Sequence, residues 1–76
     1  MTQKKNFESA IDHFETIINM DPNNAIAYNS LGSALGEQGN FKQAIAHFNT
    51  AIKINPNYVE AHQNLGTALS ILGQAD

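Results

Sequence analysis

The sequence predicts an all-α protein of four helices paired as antiparallel hairpins, and three observations carry that expectation. The chain repeats itself at a step of 34 residues, as between Ala10 and Ala44. Within each copy the apolar residues recur at the 3.6-residue period of a helix that buries one face. Proline, glycine and asparagine fall between the periodic runs, where helices stop and start.

Phe7, Ala10, Ile11, Phe14, Ile17 and Ile18 form the first apolar stripe, which predicts a helix from Phe7 to Met20 with Asn6 as its N-cap. Pro22 ends it, because a proline disfavours helical geometry in the residue before it, here Asp21. Ala27, Leu31, Ala34 and Leu35 predict a second helix from Asn24 to Gln38, closed by Gly39 in the left-handed conformation. Phe41, Ala44, Ile45, Phe48, Ala51 and Ile52 predict a third, from Phe41 to Ile54. Asn40 is its expected cap, with Gln43 as the reciprocal capping-box partner. Pro56 ends that helix at Asn55, and Ala61, Leu65, Ala68 and Leu69 predict a fourth from Tyr58 to Leu72.

The repeat register also suggests how the helices pack. Gly32 and Gly66 lack a side chain and admit a neighbouring helix closely, while Ala10, Ala34, Ala44 and Ala68 keep the contact shallow. Phe14 and Phe48 fill the space between hairpins. Gly36 has no role that the pattern assigns.

Composition narrows the function. At 76 residues the chain is at most one small domain, whose core only marginally offsets the entropy of folding, so packing or self-association is expected to support it. With no cysteine, disulfides and thiolate metal sites are excluded. A formal charge of -3, four lysines and no arginine leave no basic patch for nucleic acid. No apolar run reaches the length of a membrane span, and the first residues lack the apolar core of a signal peptide, so the expected setting is soluble and cytoplasmic.

Candidates for chemistry are thin. His13, His47 and His62 have no zinc-type spacing, and the carboxylates of Glu8, Asp12, Glu15, Asp21, Glu37 and Glu60 form no pair at a useful spacing. No phosphate-binding glycine loop or nucleophile elbow exists either. The expectation is no catalytic residue, no metal and no cofactor.

The unit from Ala25 to Tyr58 carries Tyr28, Leu31, Gly32, Leu35, Ala44, Phe48, Ala51 and Pro56 at fixed offsets, and in this it resembles the tetratricopeptide repeat. Ala10, Phe14 and Pro22 before it, and Leu65, Gly66 and Leu69 after it, extend the resemblance over nearly the whole chain. The organisation implied is one domain over residues 1–76: a partial repeat at 1–24, a full repeat at 25–58 and a partial repeat at 59–76. Two positions depart from the pattern. His62 stands where Tyr28 stands one unit earlier and is expected to pack neutral between helices, and Ile17 replaces the small residue found at Ala51.

The resemblance implies a short right-handed α-solenoid whose concave groove binds a protein or peptide without catalysis. The groove positions it selects are Ile26, Asn29, Ser30, Ser33, Gly36 and Glu37 in one helix, and Glu60, Gln63, Asn64, Thr67, Ser70 and Ile71 in the next. Asn29 aligns with Gln63 and Ser33 with Thr67, giving two rows of short uncharged groups suited to peptide backbone. Family members that grip a C-terminal carboxylate use basic residues in these helices, and every lysine here lies outside them. Asn64 before Leu65-Gly66 is similar to the asparagine row of O-linked N-acetylglucosamine transferases, although Ser30 replaces it one unit earlier. A structural or substrate-recruiting segment of such a glycosyltransferase is thus the alternative expectation.

The chain opens and closes midway through a unit, so both ends of the array are expected to lack a covering helix. Phe7, Ile11, Phe14 and Ile18 at one end, and Leu65, Leu69 and Leu72 at the other, are the candidates for self-association into a homo-oligomer. Ala68 belongs to the second face as well.

Overall fold

In the computed structural model residues 2–74 are described, with side chains from Phe7 to Gln74. Four helices follow one another: α1 (Thr2–Met20), α2 (Ala25–Glu37), α3 (Phe41–Ile54) and α4 (Val59–Gln74). Each packs on the next, and α2 also touches α4. The result is a slab of 37 × 34 × 15 Å, thin enough that every helix keeps one open side.

The core lies between α2, α3 and α4. Leu31, Leu35, Ala44, Phe48 and Ala68 are buried together, with Ile11, Phe14 and Ile18 of α1, Phe41 and Ile45 of α3 and Leu65 of α4 packed against them. A Cβ at Gly32 would lie 2.6 Å from Phe48 Cε1 and 3.1 Å from the Ala44 carbonyl oxygen, so the expected close approach is real at this position. Gly36 has room for a methyl group, with Phe41 Cε1 at 3.8 Å and Ala44 Cβ at 3.9 Å from it. At Gly66 the expectation fails. A Cβ there meets nothing within 4 Å, because no described helix lies over it as α3 lies over Gly32.

The α2–α3 turn carries the sharpest signal. Gly39 takes a φ of +90°, its N–H donates to the Gly36 carbonyl at 2.9 Å, and the Asn40 N–H donates to the Leu35 carbonyl at 2.9 Å. This paired bonding closes the carbonyls left free at a helix end, and the left-handed residue it needs is glycine. Asn24, expected as the first residue of the helix, instead caps α2 by accepting from the Ala27 N–H at 3.0 Å.

Three end assignments change. Asn6 was expected to cap α1 but falls inside it, and its side chain lies outside those described. In the register Lys5 stands where Gly39 stands, so nothing breaks the helix and it runs back to Thr2. Asn40 makes no side-chain cap; its carboxamide N–H donates to Gln38 Oε1 at 3.3 Å, and the capping box with Gln43 does not form. The fourth helix, expected to end at Leu72, runs on through Gly73, which has no positive φ, to Gln74.

Candidate functional site

The groove is built where α1, α2 and α4 face one another. A cavity of about 350 Å³ is lined by Phe7, Ala10 and Phe14 of α1, by Ile26, Asn29, Ser30, Ser33, Ala34 and Glu37 of α2, and by Tyr58, Glu60 and Asn64. It gathers seven of the expected groove residues. A second cavity of about 250 Å³ lies between α2 and α4 and includes Ser33, Gly36, Glu37, Asn64, Thr67 and Ile71. Gln63 and Ser70 lie apart from both, lining a shallow surface of α4 with His62, Gly66, Thr67, Ile71 and Gln74.

A hydrogen-bond chain crosses the floor of the first cavity. Asn64 Nδ2 donates to Asn29 Oδ1 at 3.0 Å, and Asn29 Nδ2 donates to the Tyr58 hydroxyl at 3.4 Å. Asn29 is only 5 % exposed, and the bonds satisfy it: among the described residues no buried side-chain polar atom lacks a partner. Asn29 is therefore held by its neighbours, while Asn64, less buried, keeps its carbonyl oxygen and one N–H for a ligand. Tyr58 had been read only as the start of a helix. The Thr67 hydroxyl donates to the Gln63 carbonyl at 3.1 Å, one turn back in its own helix, which leaves it chiefly an acceptor.

The three histidines differ. His47 is half-buried, and its ring stacks on Tyr28 with centroids 6.1 Å apart and an interplanar angle of 27°. Burial lowers its pKa below the ordinary 6.5, partly opposed by the negative charge of Glu15. The unfolded chain then takes up a proton near pH 6.5 that the folded chain refuses until lower pH, so stability falls as pH drops through that window. Thermal melts at about pH 7.5 and about pH 5.5 should show this loss, and His47→Gln should remove most of it. His62, expected to pack between helices, is exposed, and its Nε2–H donates to the Pro56 carbonyl at 2.8 Å. Among the described residues no helix covers the side of α4 on which it stands. His13 is exposed, with its ring 5.6 Å from that of Phe14.

Among the described residues no group of three or more histidines and carboxylates is arranged to hold a metal ion, and no helix is long and apolar enough to cross a membrane. Burial at equivalent positions of the repeat separates the middle of the array from its ends. Phe48 is 3 % exposed but Phe14 is half-buried, and Leu35 is 8 % exposed against 52 % for Leu69.

Against known families, a model described as TPR repeat matches residues 32–73, more than half of the chain. One described as tetratricopeptide repeat matches residues 13–46. No curated protein matches the chain. Repeats of this kind generally mediate protein–protein interaction and are typically non-catalytic. With its paired helices, the Gly32–Phe48 contact and these two matches, the chain belongs to the tetratricopeptide-repeat family.

Proposed function

We propose that this chain is a protein-interaction module that binds an extended peptide in the groove between α1, α2 and α4. The observation that carries the reading is the Asn64–Asn29–Tyr58 chain along the floor of the cavity. It fixes the Asn64 carboxamide so that its remaining acceptor and donor meet the N–H and C=O of one peptide unit, and fixing it beforehand lowers the entropy lost on binding. Phe7, Phe14 and Ile26 offer apolar contact for side chains, and Glu37 and Glu60 give the rim a negative charge. Peptides with lysine or arginine near the apolar anchor fit this surface, and peptides that end in clustered carboxylates do not. The cysteine-free, acidic composition is compatible with the cytoplasmic setting read from it.

Fluorescence anisotropy with a basic and an acidic peptide of the same apolar sequence tests the reading. The basic peptide should bind more tightly and weaken with salt, and Asn64→Ala should lower its affinity by about 5- to 10-fold, the scale of one or two hydrogen bonds. Equal binding of both peptides, together with an Asn64→Ala chain of unchanged affinity, would rule the groove out.

A second reading concerns the ends, and the unequal burial of equivalent residues favours it. The α1 face repeats the α3 residues Phe41, Ala44, Ile45 and Phe48 as Phe7, Ala10, Ile11 and Phe14. The α4 face repeats Leu31, Gly32 and Leu35 of α2 as Leu65, Gly66 and Leu69, whereas Ala68, expected on this face, is 4 % exposed because it packs in the core with Phe48 of α3. One copy's α1 thus suits another copy's α4 as α3 suits α2, with Phe14 over Gly66. Leu72 and Ile18 extend the two faces. Such a contact joins unlike surfaces, so it closes as a ring or exchange or continues as a fibre. Each large apolar side chain fully buried this way adds roughly 1.5–3 kcal/mol, and the melting temperature should then rise with concentration.

A further inference from the structure

The stacking of Tyr28 on His47 has a counterpart that no single chain forms. One repeat on from Tyr28 is His62 on α4, and one repeat back from His47 is His13 on α1. Both rings are exposed, one at each end of the array. We propose that, when the α4 face of one copy receives the α1 face of the next, His62 of the first stacks on His13 of the second, and that this imidazole pair makes the association sensitive to acid. The inference rests on the end-to-end reading above.

The stacked pair inside the chain supplies the geometry. Its ring centroids are 6.1 Å apart, and a contact of the same form between copies brings two imidazoles to that separation. Tyr28 stays neutral throughout the range in which histidine titrates, whereas a His–His pair does not. Protonating both rings sets two like charges side by side at a surface that has lost its water, so the joined state takes up fewer protons than the separated copies. The fate of His47, whose burial favours its neutral form, is an example of the same effect within one chain.

The charges nearest the two rings are carboxylates, which favour the protonated form and so oppose this effect in part. Asp12 and Glu15 flank His13 on α1, and Glu60 lies two residues before His62 on α4. From α3, the residue equivalent to Glu15, whose charge acts on His47, is the neutral Asn49, and Lys42 and Lys53 stand near the two ends of that helix. The one charge of α2, Glu37, lines the groove. His62 is already oriented, because its Nε2–H donates to the Pro56 carbonyl.

Sedimentation velocity of the 76-residue chain at about pH 7.5 and about pH 5.5 tests the pair, with His62→Tyr as the variant that recreates the Tyr–His contact. The parent chain should associate at the higher pH and lose roughly tenfold in association constant per pH unit for each proton excluded, below about pH 6.5. His62→Tyr, which leaves one histidine rather than two at the junction, should weaken with a shallower slope than the parent over the same range, and circular dichroism at both pH values checks that both chains stay helical. His47 is present in both, so its own response to acid cancels in the comparison. If both chains associate at neutral pH and weaken equally in acid, the histidine pair is overturned and the end-to-end contact stands. If neither associates at any pH, both are overturned.

Discussion

Phe48→Ala should remove about 3–5 kcal/mol of stability, the usual loss for a buried phenylalanine truncated to alanine. The ring is 3 % exposed and joins the buried residues of α2, α3 and α4 in one cluster. At about 0.05–0.15 kcal/mol per residue, a chain of this size holds on the order of 4–11 kcal/mol in all, so this one change takes a large share. Collapse around the gap is limited, because the ring lies against the backbone of α2 at Gly32, which has no side chain to move inward. Phe14→Ala, at the equivalent position of α1, should cost less, since Phe14 is only half-buried. Urea unfolding of both variants at low protein concentration gives the comparison.

Gly32→Ala and Gly66→Ala should act in opposite directions although the two glycines are equivalent in the repeat. At Gly32 the added methyl would sit 2.6 Å from one ring carbon of Phe48 and 2.8 Å from another, with the Ala44 carbonyl oxygen at 3.1 Å, so the ring and α3 must both give way. Overpacking of this kind costs about 1–3 kcal/mol, which outweighs the roughly 0.5–1 kcal/mol that alanine adds to a helix interior. At Gly66 nothing stands within 4 Å, so only the gain remains for the isolated chain. The same methyl should weaken association, because it occupies the place of Phe14 from a second copy. Thermal melts over a range of concentrations separate the two effects.

The sequence and the structure part company at identifiable places. Helix order, the Gly39 turn and the close approach at Gly32 were all legible, because each depends on residues within one repeat unit and on spacing along one helix, whereas Phe48, expected between hairpins, lies against Gly32 within one. The pairing of Asn29 with Asn64 was not. Equivalent residues in successive units are 34 apart and point the same way, so comparing the units aligned Asn29 with Gln63. Contact between two helices needs the right side of one and the left side of the next, and Asn64 lies about 100° further round its helix than Gln63. The donor that reaches Asn29 is therefore 35 residues on rather than 34. The start of α1 was misread by the same device, since the break at Gly39 was carried back onto Lys5, which breaks nothing. His62 and Gly66 were given the surroundings of Tyr28 and Gly32, and the helix that would supply those surroundings is not among the described residues.

Complementarity of the two end faces is tested most directly by mixing two variants, each blocked at one end. Leu69→Glu puts a charge on the α4 face and leaves α1 intact, and Ala10→Glu does the reverse. Leu69 is 52 % exposed and Ala10 half-buried, so neither change opens the core of the single chain. In sedimentation velocity at a concentration where the parent chain associates, each variant alone should run as a monomer. Their equimolar mixture should form a one-to-one dimer through the single junction left intact. A mixture that stays monomeric, or a variant that still assembles by itself, would contradict head-to-tail pairing of α1 with α4.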